Sequence, residues 1–373
     1  MKRLFLGTTA IVAAASLGHP ADAKIELGLG GYMNSYFSVA AIDEGANDPH
    51  DYNPTGLFSD GEVYFTGEVE LDNGILLGAV VQLEMFGDPN SFGDTIDERY
   101  MYLESTFGRI VAGSTNMAPY AMAVFAPYAG LPINSGWVTA FVPANPDSQV
   151  AFLHPGVSTL LEPQEDSNGI TYYSPNLWGF QLGLSYVPSA TPGGDGKNFP
   201  VEADRETEYH NAFAVGLTYV ESFDGFDVAL SGSWLFAQAD EQGKDDGVDD
   251  YQAFMVGANL SYAGVTLGGS YANEYQGLVD DSGTVTTEGQ SYDVGASYAL
   301  GPWTVAVTWF HGATEDQIAE PGEDVMHALQ GGFYYALGPG ITLGGGVMWV
   351  EWDAESGFTN AGVAGALGLT FEF

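Results

Sequence analysis

The feature that most limits the fold of this chain is an alternation of apolar with small or polar residues. From 361 to 373 the odd positions are apolar or glycine and the even positions are small or polar, and 62–71 and 303–309 follow the same period of two. Successive side chains of an extended strand point to opposite faces, so each such segment predicts a β-strand with one apolar face. A soluble sandwich and a membrane barrel both present faces of this kind.

Segment length and the placement of aromatic residues favour the barrel. Strands of soluble sandwiches average about 5 or 6 residues, whereas alternation in this chain often continues for about 10. Aromatic residues also recur at segment ends, as in the belts that barrels place at the two membrane interfaces. These are Tyr186, Tyr219, Trp234, Phe236, Tyr262, Trp303, Trp309 and Trp349. A sandwich with these rings in its core is the alternative.

The lengths of the connections predict the topology. Short Gly-, Pro- or Asn-containing turns alternate with longer polar segments at 42–59, 87–96, 114–166, 189–208, 239–250, 276–289, 314–324 and 353–360. Short turns at one end and long loops at the other are typical of outer-membrane barrels, and closure leaves no exposed strand edge. The sequence therefore predicts an all-β fold, a closed antiparallel transmembrane β-barrel of about sixteen strands, with both termini on the short-turn side.

The N-terminus and the composition limit location and partners. Residues 1–23 combine a basic start, an apolar run and an Ala-Asp-Ala cleavage site, which predicts a cleaved signal peptide followed by a single barrel domain over 24–373. The chain has no cysteine, so neither disulfides nor thiolate chemistry is available. With 49 acidic against 8 basic residues and a net charge of −41, it lacks the basic surface that nucleic-acid binding requires.

The segment 114–166 is the long interval in which the alternation stops. Its prolines cannot donate to a strand ladder, so we expect a loop and not further strands. They are Pro119, Pro127, Pro132, Pro143, Pro146, Pro155 and Pro163.

Three stretches resemble the Gram-negative general porin family. They are RYMYLESTFGRIVAGS at 99–114, NGITYYSPNLWGFQLGLSY at 168–186, and the C-terminal LTFEF, whose Phe371 and Phe373 are similar to the aromatic signature that barrels present to the outer-membrane assembly machinery. The resemblance implies a homotrimeric, passive, water-filled channel for small hydrophilic solutes and ions, without a cofactor and without enzymatic activity. It implies a location in the outer membrane of a Gram-negative bacterium, in contact with lipid and lipopolysaccharide, and makes 114–166 the inward-folded third loop that constricts the pore.

The chain departs from the family in its basic residues. Such porins often place arginines opposite an acidic loop, but after residue 23 this chain has only Lys24, Arg99, Arg109, Lys197, Arg205 and Lys244. Alternation places Arg109 toward water and Arg99 toward the outer rim. A wall of arginines is therefore not expected here.

The acidic residues predict cation selectivity. On the face expected to line the lumen lie Glu62, Glu68, Glu70, Glu84 and Glu104, and the long loop adds Asp147, Glu162, Glu165 and Asp166. Carboxylates lining a pore attract cations and repel anions, and salt weakens this effect. Alternatively, the acidic residues of the loop only keep the loop hydrated and have no role in selectivity.

Acids outside the predicted pore offer a second hypothesis. Asp245, Asp246, Asp249 and Asp250 form the densest cluster, and carboxylate oxygens suit Ca²⁺ or Mg²⁺, although an acidic loop in solvent is the favoured explanation of the cluster.

Other functions stay open at the level of sequence. The loop aromatics Tyr120, Phe125, Tyr128, Trp137, Phe141 and Phe152 fit either a sugar-specific aromatic track or anchors that hold the loop to the wall. A structural or adhesive barrel with a plugged lumen is a further alternative. No catalytic or metal-binding motif occurs, and an outer-membrane hydrolase would need an outward histidine such as His327.

Overall fold

In the computed structural model the chain forms a closed ring of antiparallel strands. The structure describes residues 24–44, 51–85, 96–144, 156–161, 168–190, 209–239, 250–279, 285–315, 322–354, 357 and 359–373. Within these residues there are sixteen strands, each paired with its neighbours in sequence. They are β1 (Glu26–Glu44), β2 (Thr55–Glu70), β3 (Leu76–Glu84), β4 (Arg99–Ser105), β5 (Gly108–Ser114), β6 (Asn168–Tyr173), β7 (Phe180–Ala190), β8 (Tyr209–Phe223), β9 (Phe226–Ala239), β10 (Tyr251–Tyr262), β11 (Val265–Val279), β12 (Val285–Leu300), β13 (Trp303–Glu315), β14 (Asp324–Gly338), β15 (Ile341–Asp353) and β16 (Thr359–Glu372).

The ring closes between the first and last strands. β1 pairs antiparallel with β16, and the amides of Gly31 and Phe373 each donate to the other residue's carbonyl at 3.0 Å. Closure satisfies backbone groups that an open sheet would leave exposed at its edges. The prediction of a closed antiparallel barrel is confirmed.

Tight turns join the strands at the end that carries both termini. Ala263 and Gly264 connect β10 to β11 with φ values of 50° and 87°, and Asp224 and Gly225 connect β8 to β9 with 48° and 89°. Positive φ at both central residues is the type I′ geometry that suits the twist of antiparallel strands. The glycine at the second position adopts this backbone conformation without steric cost.

Two of the predicted loops are shorter in the structure. β1 and β2 extend to Glu44 and from Thr55, and β11 and β12 extend to Val279 and from Val285, so strand pairing enters the predicted loops 42–59 and 276–289. Ladder hydrogen bonds join backbone groups and need no apolar side chain. Polar sequence therefore does not end these strands.

The two faces of the wall differ in polarity. Outward side chains are large, apolar and exposed, for example Leu27 at 72%, Met101 at 67% and Val294 at 55%. Outward aromatic residues pair near the strand ends, such as Phe226 with Tyr262 at 4.3 Å and Trp303 with Tyr335 at 4.5 Å between ring centroids. This arrangement matches the apolar band and interfacial belts of a membrane barrel.

His327, the outward histidine considered for a hydrolase, lies in this belt. Its ring is 4.6 Å from that of His311 and 6.3 Å from that of Trp309. The two Nδ1 atoms of the histidines are 3.2 Å apart, so the pair shares a hydrogen bond within the aromatic surface.

The barrel wall is low on one side, β3 to β6, which we call the low wall. β3, β4, β5 and β6 have 9, 7, 7 and 6 residues, whereas β8 to β16 have 12 to 16. The connection between β5 and β6 is the third long loop, and its described residues, 115–144 and 156–161, lie inside the barrel, as predicted for the fold. It contains a one-turn helix α1 (Ala118–Ala121) and a 3-10 helix (Gly136–Ala140). Among the residues described, no helix has the length and apolar character of a membrane span.

Candidate functional site

The third loop follows the inner wall from β7 to β16. Side chains of successive strands bond to its backbone: Ser185 accepts from the amide of Ala118, Ser231 accepts from Val124, and Asn259 donates to the carbonyl of Phe125. Further along, Thr308 donates to the carbonyl of Pro127, Gln330 to Ala129, Trp352 to Val142 and Asn360 to Pro143. The loop thus gains from the wall the backbone hydrogen bonds that it does not make to itself.

Glycines on the lumen face allow this close approach. A Cβ at Gly257 would lie 1.6 Å from the carbonyl oxygen of Val124, and one at Gly332 would lie 2.0 Å from that of Ala129. No other residue type fits at these distances. The glycines fix how near the loop lies to the wall, and therefore how much of the lumen stays open.

A buried carboxylate on β12 joins the two limbs of the loop. Asp293, which is 4% exposed, accepts from the amide of Ala126, the side-chain amide of Asn134, and both the amide and the hydroxyl of Ser270. Thr159, on the returning limb, contacts the Ser270 hydroxyl at 2.6 Å and accepts from Asn134 at 2.8 Å. Because the Ser270 hydroxyl donates to Asp293, Thr159 is the donor in their contact. The outgoing limb, the returning limb and the wall thus share one network.

Apolar contacts complete the attachment of the loop. Leu131, Phe141 and Val142 pack with buried lumen side chains such as Met348 and Trp352. A second cluster joins Met117, Ala123 and Leu161 to lumen side chains of β7 to β11, including Leu235 and Met255. These lumen positions are apolar because the loop covers them and excludes water.

The loop aromatics take different positions. Phe141 is 3% exposed and acts as an anchor, and the rings of Phe125 and Tyr128 stack at 6.3 Å beside the clusters. Tyr120 is half-buried, and Phe152 lies outside the described residues. Trp137 is 53% exposed, and its ring meets that of Phe58 on β2 at 5.2 Å.

The opposite wall, β1 to β6, carries carboxylates and tyrosines on its lumen face. Glu62 lies directly across from Tyr32 on β1 and from Glu84 on β3, and all three side chains are partly exposed. The hydroxyl of Tyr32 donates to Glu62 at 3.1 Å and to Asp60 at 3.2 Å. The loop covers β7 to β16 and also packs on Tyr36 of β1 and Phe58 of β2, so the open part of the lumen lies beside the rest of this wall.

Three carboxylates come together on this wall. Single oxygens of Glu62, Glu84 and Asp97 all lie within 4.8 Å of one another. Next to them, Glu98 accepts from Gln82, from the Thr115 hydroxyl at 2.7 Å and from the amide of Asn116 at 3.1 Å. Glu98 thus holds the start of the third loop, while the group of three gives this part of the lumen its greatest negative charge.

Lower on the same wall, one cation lies on an aromatic ring. The guanidinium carbon of Arg109 is 4.1 Å from the centroid of the Tyr102 ring, and the Tyr102 hydroxyl donates to Glu68. The ring crosses β3 at Gly78, where a Cβ would lie 2.2 Å from it. Glu104 lies directly across from Arg109, and Glu70 shares this lumen face at the end of β2.

Of the remaining predicted residues, most lie outside the described ranges, and three lie within them. Asp147, Glu162, Glu165, Asp166, Asp245, Asp246 and Asp249 lie outside the described residues. Asp250 accepts from the amide of Ala239 at 3.0 Å, which joins the ends of β9 and β10. Phe371 and Phe373 lie on the outer face of the closing strand, 50% and 41% exposed.

Sequence reasoning missed several residues of the lumen. Asp60 has the same parity as Glu62 and was available to the same argument, as was Tyr32 on β1. Asp97 and Glu98 precede a strand, where alternation gives no orientation. Asp293 is a single acid in an otherwise uncharged stretch, and its role depends on partners 23 to 167 residues away in sequence.

The geometry defines a class of protein: a transmembrane β-barrel whose lumen is narrowed by an internal loop, which is the arrangement of a channel. The family model for Gram-negative porins matches residues 7–355. The chain therefore belongs to the Gram-negative porin family, which places it in the outer membrane as a channel protein without enzymatic activity or cofactor.

Solved structures agree with the fold. An anion-selective porin from Comamonas acidovorans is 17% identical with a TM-score of 0.60, over 94% of this chain and 100% of that one. OmpT, an outer-membrane protein of Vibrio cholerae in a trimer form, is 11% identical with a TM-score of 0.58 over the same shares. A mutant of the Rh. blastica porin is 17% identical with a TM-score of 0.55, over 93% and 100%. No curated protein sequence matches the chain.

Proposed function

We propose that the chain forms a passive, water-filled diffusion channel for small hydrophilic solutes that prefers cations to anions. The observation that supports this preference is the lumen face of β1 to β6, where Glu62, Glu68, Glu84 and Asp97 lie beside the open passage. Arg109 is the basic residue on that face, and its guanidinium is already engaged by Tyr102.

The third loop adds no opposing charge in its described part. Residues 115–144 and 156–161 contain no aspartate, glutamate, lysine or arginine. The field across the described passage is therefore mainly negative, and low-dielectric walls strengthen it. The anion-selective porin shares the fold of this chain, but at 17% identity the likeness gives no information on the selectivity of this chain.

Reversal potentials in planar bilayers test the selectivity. Under a KCl gradient we expect a potential with the sign of K⁺ preference, decreasing as salt rises to 1 M, where the screening length is about 3 Å. A unit charge about 7 Å from an ion in water contributes about 0.6 kcal/mol, or about 0.3 kcal/mol when roughly 0.1 M salt screens it, and it acts with opposite sign on K⁺ and Cl⁻. Each of E62Q, E68Q and E84Q is therefore expected to lower the K⁺/Cl⁻ permeability ratio by roughly two- to three-fold in about 0.1 M salt.

Glu351→Gln is the matched control, because Glu351 is exposed on β15 and shares the outward parity of Val347 and Trp349. It removes the same charge from the outer face and is expected to leave the ratio unchanged. Anion preference in the unaltered protein, or equal effects of the lumen and control substitutions, would contradict the proposal.

We propose further that the channel is a homotrimer whose protomers meet at the low wall. A tilted membrane strand needs about 9 to 11 residues to cross the hydrocarbon, and β4, β5 and β6 have 7, 7 and 6. The paired outward rings of the belts, in contrast, lie on β7 to β16. Contact with a partner protomer covers the side whose strands are too short for the hydrocarbon layer. One structural neighbour is in a trimer form.

Two further partners belong to the same proposal. The outward rings of Phe371 and Phe373 on the closing strand are accessible as a signal for the outer-membrane assembly machinery. The loop end of the barrel faces lipopolysaccharide, where Asp245, Asp246 and Asp249 are available to bridge through Ca²⁺ or Mg²⁺.

A further inference from the structure

The lumen wall of β1 to β6 combines negative charge with aromatic rings. On β2 the residues Phe58, Asp60, Glu62 and Tyr64 share one face, with successive positions about 6 to 7 Å apart. Tyr32 lies across from Glu62, and its ring is 6.4 Å from that of Tyr64. A solute moving along this wall therefore meets carboxylates and ring faces in turn.

Part of this wall already holds a cation of the chain itself. The guanidinium of Arg109 lies 4.1 Å above the centre of the Tyr102 ring, whose hydroxyl donates to Glu68. A phenol that donates to a carboxylate has a more electron-rich ring, so its face attracts a cation more strongly. The arrangement of carboxylate, tyrosine and guanidinium shows which chemistry the wall accepts.

On β1 and β2 the wall repeats the tyrosine and the carboxylates, and neither strand contributes a basic side chain. The Tyr32 hydroxyl donates to Asp60 and Glu62, as Tyr102 does to Glu68, but the sequences of β1 and β2 contain no lysine or arginine. The loop adds a further ring beside this wall, because the exposed side chain of Trp137 contacts Phe58 edge-on with ring centroids 5.2 Å apart.

We propose that this section of the wall favours organic cations, namely solutes carrying ammonium or guanidinium groups, over inorganic cations of equal charge. The inference rests on the proposed cation-selective channel and assigns it a preferred class of solute. Carboxylates attract K⁺ and organic ammonium ions alike. Ring faces favour the organic ion, because it is less strongly hydrated than K⁺ and loses less hydration free energy on contact with the ring.

Bi-ionic reversal potentials measure this preference in the intact protein. With KCl on one side of a planar bilayer and tetramethylammonium or guanidinium chloride on the other, the organic ion is expected to permeate better relative to K⁺ than its bulk mobility predicts. Replacing a ring by an aliphatic side chain, in W137L or Y64L, is expected to lower the ratio about two- to five-fold per ring. The matched controls W137F and Y64F keep a ring face and are expected to retain most of the permeability ratio of the unaltered protein.

The direction in which the permeability ratio changes in the leucine variants distinguishes attraction by the rings from an effect of pore width. Leucine is smaller than tryptophan or tyrosine, so a purely steric channel would pass the organic ion better in the leucine variants, which would overturn the inference. A wild-type ratio no higher than that of the bulk mobilities would overturn it as well, while K⁺ preference over Cl⁻ would leave the proposed function intact. Preference for Cl⁻ over K⁺ would overturn the proposed function, and the inference with it.

Discussion

At the scale of single residues, Asp293 shows how one buried carboxylate organises a channel. It is 4% exposed and accepts from Ala126 and Asn134 of the third loop and from Ser270 of β11. A buried charge is tolerated only where hydrogen bonds replace its hydration. Here those bonds attach the loop, so the stability of the charge and the position of the loop depend on each other.

Asp293→Asn is expected to loosen the third loop while the barrel stays folded. The asparagine amide turns two hydrogens toward groups that are themselves donors, and each donor left without an acceptor costs about 1–3 kcal/mol. We expect larger current fluctuations in single-channel recordings and faster proteolysis within 115–161.

Asp227→Asn is the control for this substitution. Asp227 lies near the turn at the start of β9 and accepts from the Ser222 hydroxyl at 2.6 Å, away from the loop. Equal current noise in the two variants would contradict the role given to Asp293.

At the scale of elements, the distance between loop and wall depends on glycine. In Gly257→Ala the new Cβ would lie 1.6 Å from the Val124 carbonyl oxygen, and in Gly332→Ala 2.0 Å from that of Ala129. Reaching 3.0 Å requires shifts of about 1.4 and 1.0 Å toward the open side of the lumen. Such overpacking costs about 1–3 kcal/mol, and we expect a lower single-channel conductance in both variants.

Gly232→Ala on β9 serves as the control, because a Cβ there meets nothing within 4 Å. Its conductance should equal that of the unaltered protein. The mobility of heated and unheated samples on gels verifies that all three variants form barrels. Unchanged conductance in folded Gly257→Ala and Gly332→Ala would show that the loop does not depend on these glycines.

The elements also show what sequence predicts and what it does not. Alternation reports which way side chains point, so it predicted the strands, and the alternation of short turns with long loops predicted their number and the closed topology. Side-chain alternation gave poor boundaries where polar strands continue into the loops, as at Glu44 and Val279, because backbone pairing leaves no trace in composition. The path of the third loop was not predicted, since contacts such as that of Ala126 with Asp293 join residues 167 apart.

A signal for that path was nevertheless present. Leu235, Met255, Met326 and Met348 are apolar at positions that face the lumen, where a water-filled barrel has polar residues. All four are 0% exposed, beneath the loop. The apolar residues at lumen positions of β9, β10, β14 and β15 thus indicate a part of the wall that the loop covers.

At the scale of the whole molecule, the barrel is asymmetric inside and out. Inside, the third loop covers β7 to β16 and the parts of β1 and β2 around Tyr36 and Phe58, and the passage lies beside the rest of β1 to β6. Outside, β3 to β6 are the short strands. The same wall therefore lines the passage on its inner face and, in the proposed trimer, contacts a partner on its outer face, which protects the part of the wall least covered by the loop.

Spin labels on single cysteines test the trimer and its orientation, since the chain has no native cysteine. Met101 on β4 and Val294 on β12 are both exposed outward, at 67% and 55%, and lie eight strands apart in the ring of sixteen. Sixteen strands about 4.8 Å apart and tilted about 40° form a ring about 32 Å across. In a three-fold assembly with the low wall inward, M101C labels are therefore expected about 50 Å closer together than V294C labels, as measured by pulsed dipolar spectroscopy in bilayers. A short distance at Val294 would reverse the orientation, and the absence of distances between protomers at both positions would contradict the trimer, because a monomer cannot bring two labels together.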